Sequence, residues 1–179
     1  MDSRKVSLAA LFGALSAALE ILPGIPMPGA EFLKFDIAEA PVLMLTLMLD
    51  FLWGLASLRG IAIAIIAIKG DPLGAGYKLL AVAFQVIFLR IFRDYRFSRL
   101  ISSVLRALAM TIFDRITIPL IRGVPVGLRL ATIIFLFNLI QGILNASVAV
   151  YAFELSKEAG MLCMLGLEDC PQDTEGERS

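Results

Sequence analysis

Apolar residues run through this chain in long blocks, separated by short polar or glycine- and proline-rich breaks, and the block lengths predict helices that cross a bilayer. The first block covers about 6–22 and stops at PGIPMPG, residues 23–29, where three prolines and two glycines cannot continue a helix. A polar stretch, FLKFDIAEAP (32–41), leads into a second apolar run over 41–68. After KGDPLGAG (69–76) come blocks over roughly 77–91, 100–121 and 128–153, the last two separated by RGVPVG (122–127). The run over 41–68 is too long for one helix and short for two full crossings at about 1.5 Å per residue.

Parity resolves that run. Arg90, Arg93, Arg96 and Arg99 stand between the fourth and fifth segments against Asp94 alone, with Arg106 just beyond, and such a cluster in a short loop belongs on the cytoplasmic side. Arg4 and Lys5 place the N-terminus there too. Both hold only with an even number of crossings between them, so 41–68 is expected to fold as two short segments turning near Arg59. The predicted fold is an all-α integral membrane protein of six transmembrane helices with both termini cytoplasmic. FLKFDIAEAP, KGDPLGAG and RGVPVG then converge on the outer face.

Composition agrees, with 59% hydrophobic and 18% charged residues among 179. No hydrophobic leader with a small-residue cleavage site precedes the first block, which is read as a retained span. The zero net charge hides a basic membrane domain over residues 1–155 and an acidic, flexible cytoplasmic tail over 156–179. Cys163 and Cys170, separated by six residues, can pair, bind metal with other ligands or stay inert; the inert reading is favoured and the role of the tail stays open. Histidine is absent, which removes the usual imidazole base and the commonest metal ligand. No GxxxxGK[ST], HExxH, GxSxG or CxxC pattern occurs, so no metal site, cofactor, nucleic-acid role or ATP-hydrolysing machinery is expected.

Ionisable and amide side chains inside spans are costly and mark an interior or a cavity. Asn138, Gln141 and Asn145 fall at i, i+3 and i+7, on one helical stripe. Thr111 and Asp114 share a face of the fifth block, and Arg115 or Arg129 is a candidate to neutralise Asp114. Asp50 reads as structural, paired with another span. These side chains either line an outward pocket or hydrogen-bond neighbouring helices. In the first block Ala10, Ala14 and Ala18 recur every fourth residue, beside a parallel row of Ala9, Gly13 and Ala17; small residues so spaced admit another helix closely, within this chain or from a separate subunit.

At these positions the chain resembles the substrate-binding S components of energy-coupling factor (ECF) vitamin transporters, the riboflavin type in particular. The alanine row resembles the AxxxA surface by which S components dock on the transmembrane coupling subunit. PMPGAEFLKFDIAEAPVL is similar to that type's proline-containing loop and its Lys/Thr-x-Asp-Phe-Ser-Asp-x-Pro-Ala-Leu pattern, with Asp36, Glu39 and Pro41 matching. FNLIQG (137–142) looks like Pro-Phe-Asn-Leu-x-Lys-Gly, with Phe137, Asn138 and Gly142 kept and Gln141 in place of Lys; Asp114 stands where an Asn is expected.

The resemblance implies a plasma-membrane substrate-binding subunit rather than an enzyme, its partners the lipid bilayer, a coupling subunit and two ATPases. The ligand implied is a vitamin, riboflavin or a related heterocycle, and the acid gained and base lost suit a more donor-rich one. Substrate-binding candidates are Lys34, Asp36, Glu39, Asp114, Asn138, Gln141 and Asn145, with the loop roofing the pocket, Lys34 favoured as a contact, and Asp36 and Glu39 alternatively capping the helix at Pro41. Docking candidates are Ala10, Ala14 and Ala18. The rivals are a membrane enzyme using Asp50 or Asp114, which needs a second carboxylate nearby, and a self-sufficient channel or carrier.

Overall fold

The structure, a computed structural model, describes residues 2–28, 30–93, 95, 97–123 and 125–167. Helix α1 (Ser3–Ile21) is followed by a two-stranded antiparallel hairpin, β1 (Ile25–Met27) and β2 (Ala30–Phe35). Then come α2 (Ala40–Met48), α3 (Phe51–Ala64) running on as a π turn over Ile65–Lys69, α4 (Pro72–Ile91), α5 (Ser98–Arg122), α6 (Leu128–Glu158) and the short α7 (Met161–Met164). Helical structure therefore continues past 155, and the acidic residues 168–179, with Cys170, lie outside the described residues. Cys163, half-buried in α7, is disulfide-bonded rather than inert.

Among the described residues three helices are long and apolar enough to cross a membrane, Phe51–Lys69, Pro72–Ile91 and Leu128–Glu158. Six crossings were expected. Helix α2 accounts for one of the three that fall short, since its nine residues rise only about 13 Å. Helices α1 and α5 are long enough but carry more charged residues, Arg4, Lys5 and Glu20 in α1 and Arg106, Asp114 and Arg115 in α5. Helix α2 is apolar all round and almost wholly buried, with Val42, Leu43 and Leu45 shielded completely. Val42, Leu43 and Leu47 belong to the main core with Leu58 and Ile61 of α3, Val82, Val86 and Leu89 of α4, and Ala146 and Ala149 of α6.

The two segments within 41–68 exist, but the turn between them is at Leu49–Asp50, not near Arg59. Asp50 caps α3, its Oδ1 accepting from the Phe51 N–H at 2.7 Å, and pairs with Arg90 at the far end of α4, the structural role expected of it. The Ser57-Leu58-Arg59-Gly60 stretch stays helical, and the buried Ser57 hydroxyl is satisfied within the helix, donating to the Gly54 carbonyl at 2.8 Å. Gly60 is needed for contact, since a Cβ there would lie 2.1 Å from the Gly13 carbonyl oxygen of α1.

Contacts among helix ends define two poles. Glu20 at the end of α1 pairs with Lys69 and Lys78, Lys78 also pairs with Asp36, and the Tyr77 and Thr117 hydroxyls are 2.9 Å apart. The hairpin, the turn after Lys69 and the start of α4 thus share one pole with the end of α5, the loop pole. The start of α1, the Asp50–Arg90 pair and the end of α6 lie toward the other, the termini pole.

Candidate binding site

From the loop pole the chain descends into the bundle after β2. Phe35 packs on Phe137 of α6, ring centroids 5.0 Å apart. Asp36 then turns the backbone, its Oδ1 accepting from the Ala38 N–H at 3.0 Å, and Glu39 reaches mid-depth, where α2 begins. The stripe on α6 receives this segment. Gln141 Nε2 and Asn145 Nδ2 donate to the Asp36 carbonyl at 3.0 and 2.9 Å, and the Asp36 N–H donates to Gln141 Oε1 at 3.3 Å. Two amides thus satisfy the backbone of a loop that would otherwise bury unpaired polar groups.

Glu39 is not a capping side chain, although it stands at the N-cap position of α2. Its carboxylate accepts both terminal nitrogens of Arg106 on α5, one at 3.0 Å, and both residues are 1% exposed. Arg106 also donates to Gln85 Oε1 of α4, whose Nε2 donates to the Gly142 carbonyl of α6 at 2.8 Å. One fully buried charge pair therefore joins the loop to α4, α5 and α6. Gly142 permits the approach: a Cβ there would sit 3.0 Å from Ser103 of α5.

The remaining candidates divide. Asn138, 5% exposed, donates Nδ2 to its own Ile134 carbonyl at 3.0 Å and, among the described residues, makes no hydrogen bond to the loop segment. Asp114, 7% exposed, has its Oδ1 buried without a hydrogen-bond partner. Arg115 and Arg129, considered as its neutralisers, are exposed and form no ion pair with it. Lys34 is exposed on β2, opposite Pro26, and has no polar contact among the described residues. Asp114 and Asp50 stand toward opposite poles, because Tyr77 abuts Phe113 and Arg90 abuts Asp50, about 20 Å further along α4. That separates the two carboxylates an acid–base enzyme would need together.

Four contributors do not figure among the site candidates read from sequence: Glu20, Lys78, Gln85 and Arg106. Each is a polar side chain in an apolar helix, the signal that marks Asp114. Arg106 belongs to the buried interior rather than to the basic cluster before it in sequence. Two surface concavities, between α3 and α4 and between the start of α1 and α7, do not touch the polar stripe.

No family model and no curated protein matches the chain. One solved structure, described as "Structure and mechanism of the S component of a bacterial ECF transporter", superposes with a TM-score of 0.78 over 90% of this chain and 99% of that one, at 18% sequence identity. The fold is that of an S component.

Within this S-component fold the first helix presents two different rows. Ala9 and Gly13 are buried, Gly13 against α3, where a Cβ on it would lie 2.9 Å from the Ser57 carbonyl oxygen. Ala10, Ala14 and Ala18 are exposed, flanked by Leu11 and Leu15 at 63% and 48% exposure. The clasp on Asp36 makes its own prediction. Gln141→Ala leaves both the Asp36 N–H and a share of its carbonyl unpaired, a loss of about 1–3 kcal/mol. Hydrogen exchange at residues 36–39 is expected to accelerate while α3 exchange stays unchanged; equal acceleration in both would show that the amide supports the whole bundle and not the loop.

Proposed function

We propose that this chain is the substrate-binding subunit of an ECF-type vitamin uptake transporter. In this reading it lies in the plasma membrane with both termini cytoplasmic and the loop pole outward, takes riboflavin or a related heterocycle, and delivers it when docked on a coupling subunit that carries two ATPases. The observation that carries the reading is the segment Asp36–Glu39, which enters from the loop pole and occupies a polar interior built by α4, α5 and α6. A segment held by a few side-chain hydrogen bonds over a polar interior is the arrangement a gated receptor needs, and the S-component fold supports the assignment.

The recognition residues change in this light. Gln141, Asn145 and Glu39 hold the segment, so Asp114 and Asn138 are the residues we assign to the ligand, with Asp36 and Lys78 at the entrance. A buried carboxylate oxygen without a partner favours a ligand offering N–H donors, as a heterocyclic amide or amine does. Lys34 is assigned to the rim only.

Purified protein is expected to bind the vitamin without ATP, read by isothermal titration or by a yellow chromophore that co-purifies. Asp114→Asn is expected to weaken that binding about 10- to 100-fold, the range for losing a charge-assisted hydrogen bond. Unchanged affinity in this variant would remove Asp114 from the site. Uptake by liposomes containing this polypeptide alone would favour a self-sufficient carrier instead.

A further inference from the structure

Arg59 is an exposed arginine in the middle of the strongly apolar candidate span Phe51–Lys69. It lies eight residues from Phe51 and ten from Lys69, about 12 and 15 Å from the two ends of that span. Its neighbour Gly60 meets α1, and successive helix positions turn by about 100°, so Arg59 looks away from α1 and from the exposed alanine row. It borders a groove of about 460 Å³ between α3 and α4, whose other lining residues, among them Leu55, Ile63, Ile66, Leu79 and Ala83, are all apolar.

A charge left at that depth in hydrocarbon is costly, and an arginine reduces the cost by extending its stem along apolar surface toward the interface. Side chains on a helix lean toward its N-terminus, here the termini pole. The acid nearest that end of α3, Asp50, is already paired with Arg90. Among the described residues no carboxylate forms an ion pair with Arg59. The groove continues from Leu55 to Ile66, about 16 Å of helix, as an apolar trough.

We propose that the α3–α4 groove is a binding site for one phospholipid of net negative headgroup charge, its phosphate on the Arg59 guanidinium and an acyl chain lying along Ile63, Ile66 and Leu79. A guanidinium fork matches phosphate oxygens, and the trough supplies the apolar contact that a free phosphate could not use. The site is separate from the vitamin pocket and stands whether or not a vitamin binds.

The test is native mass spectrometry of the full chain in detergent, titrated with phosphatidylglycerol and phosphatidylcholine of identical acyl chains. Phosphatidylglycerol is expected to be retained roughly fivefold over phosphatidylcholine, the preference one basic side chain provides toward an anionic lipid. Arg59→Gln should abolish the preference, while Arg59→Lys and the exposed control Arg93→Gln should keep it. Equal retention of the two lipids by the unaltered protein, or a preference that survives Arg59→Gln, would overturn the proposal. Displacement of the lipid by an equal concentration of inorganic phosphate would overturn the acyl-chain part. So would an Arg59→Gln variant whose lipid binding is intact but which no longer binds an acidic transmembrane helix.

Discussion

Arg106→Met is expected to destabilise the protein by about 3–5 kcal/mol, the cost of leaving Glu39 ionised and unpaired in a low-dielectric interior. Glu39→Gln should cost a comparable amount by orphaning the guanidinium. Both side chains are shielded from solvent, so neither charge can recover hydration without opening the bundle. The double variant leaves neither charge of this pair unpartnered in the interior and is expected to recover much of the loss. That non-additivity distinguishes a charge pair from two independent packing contacts. The measurement is the thermal unfolding midpoint of detergent-solubilised protein for wild type, both single variants and the double. A double variant as unstable as the two losses added would show that the pair contributes only through its separate contacts with Gln85 and Gln141.

Some of this was open to a reader of the sequence and some was not. The existence of α1, α4, α5 and α6 follows from apolar block length and from punctuation by proline and glycine. Helix α4, however, begins at Pro72, inside the expected loop 69–76, because Asp71 caps it and Pro72 fits its first turn, and α6 runs on to Glu158. The segment over 41–68 divides into two helices, of which only the second is long enough to cross a membrane. Arg59 misplaced its turn, because a polar cluster flanking a glycine reads as a break. The true break is marked by a lone aspartate acting as an N-cap, a signal as local as the first but weaker beside a run of apolar residues. The amide stripe was legible from spacing alone. Its partner was not: Gln141 and Asn145 bind the backbone of Asp36, and a peptide group leaves no trace in residue identity. The Glu39–Arg106 pair joins positions far apart in sequence, which no periodicity links. The hairpin was hidden for a related reason, since Ile25 pairs with Phe35 across a proline-rich turn that reads only as irregular chain.

On the function proposed above, phenylalanine at Ala14 is expected to abolish vitamin uptake by cells while leaving ligand binding by the purified protein unchanged. One residue earlier, phenylalanine at Gly13 is expected to abolish both. The two positions are adjacent in sequence but lie on different faces of α1. A side chain at Gly13 would press into the Ser57 backbone and force α1 from α3, a contact that core glycines at helix crossings exist to allow. At Ala14 the added ring projects from an exposed row of small residues, where it obstructs only a helix arriving from another subunit. Association between membrane helices depends on close packing rather than on expulsion of water, so one ring that holds two backbones apart removes most of the attraction. Uptake of labelled vitamin, co-purification with the coupling subunit and binding by titration separate the outcomes. Uptake preserved in the Ala14 variant would move the coupling surface off this row. Binding lost in that variant would mean that Ala14, like Gly13, supports the fold of this chain itself.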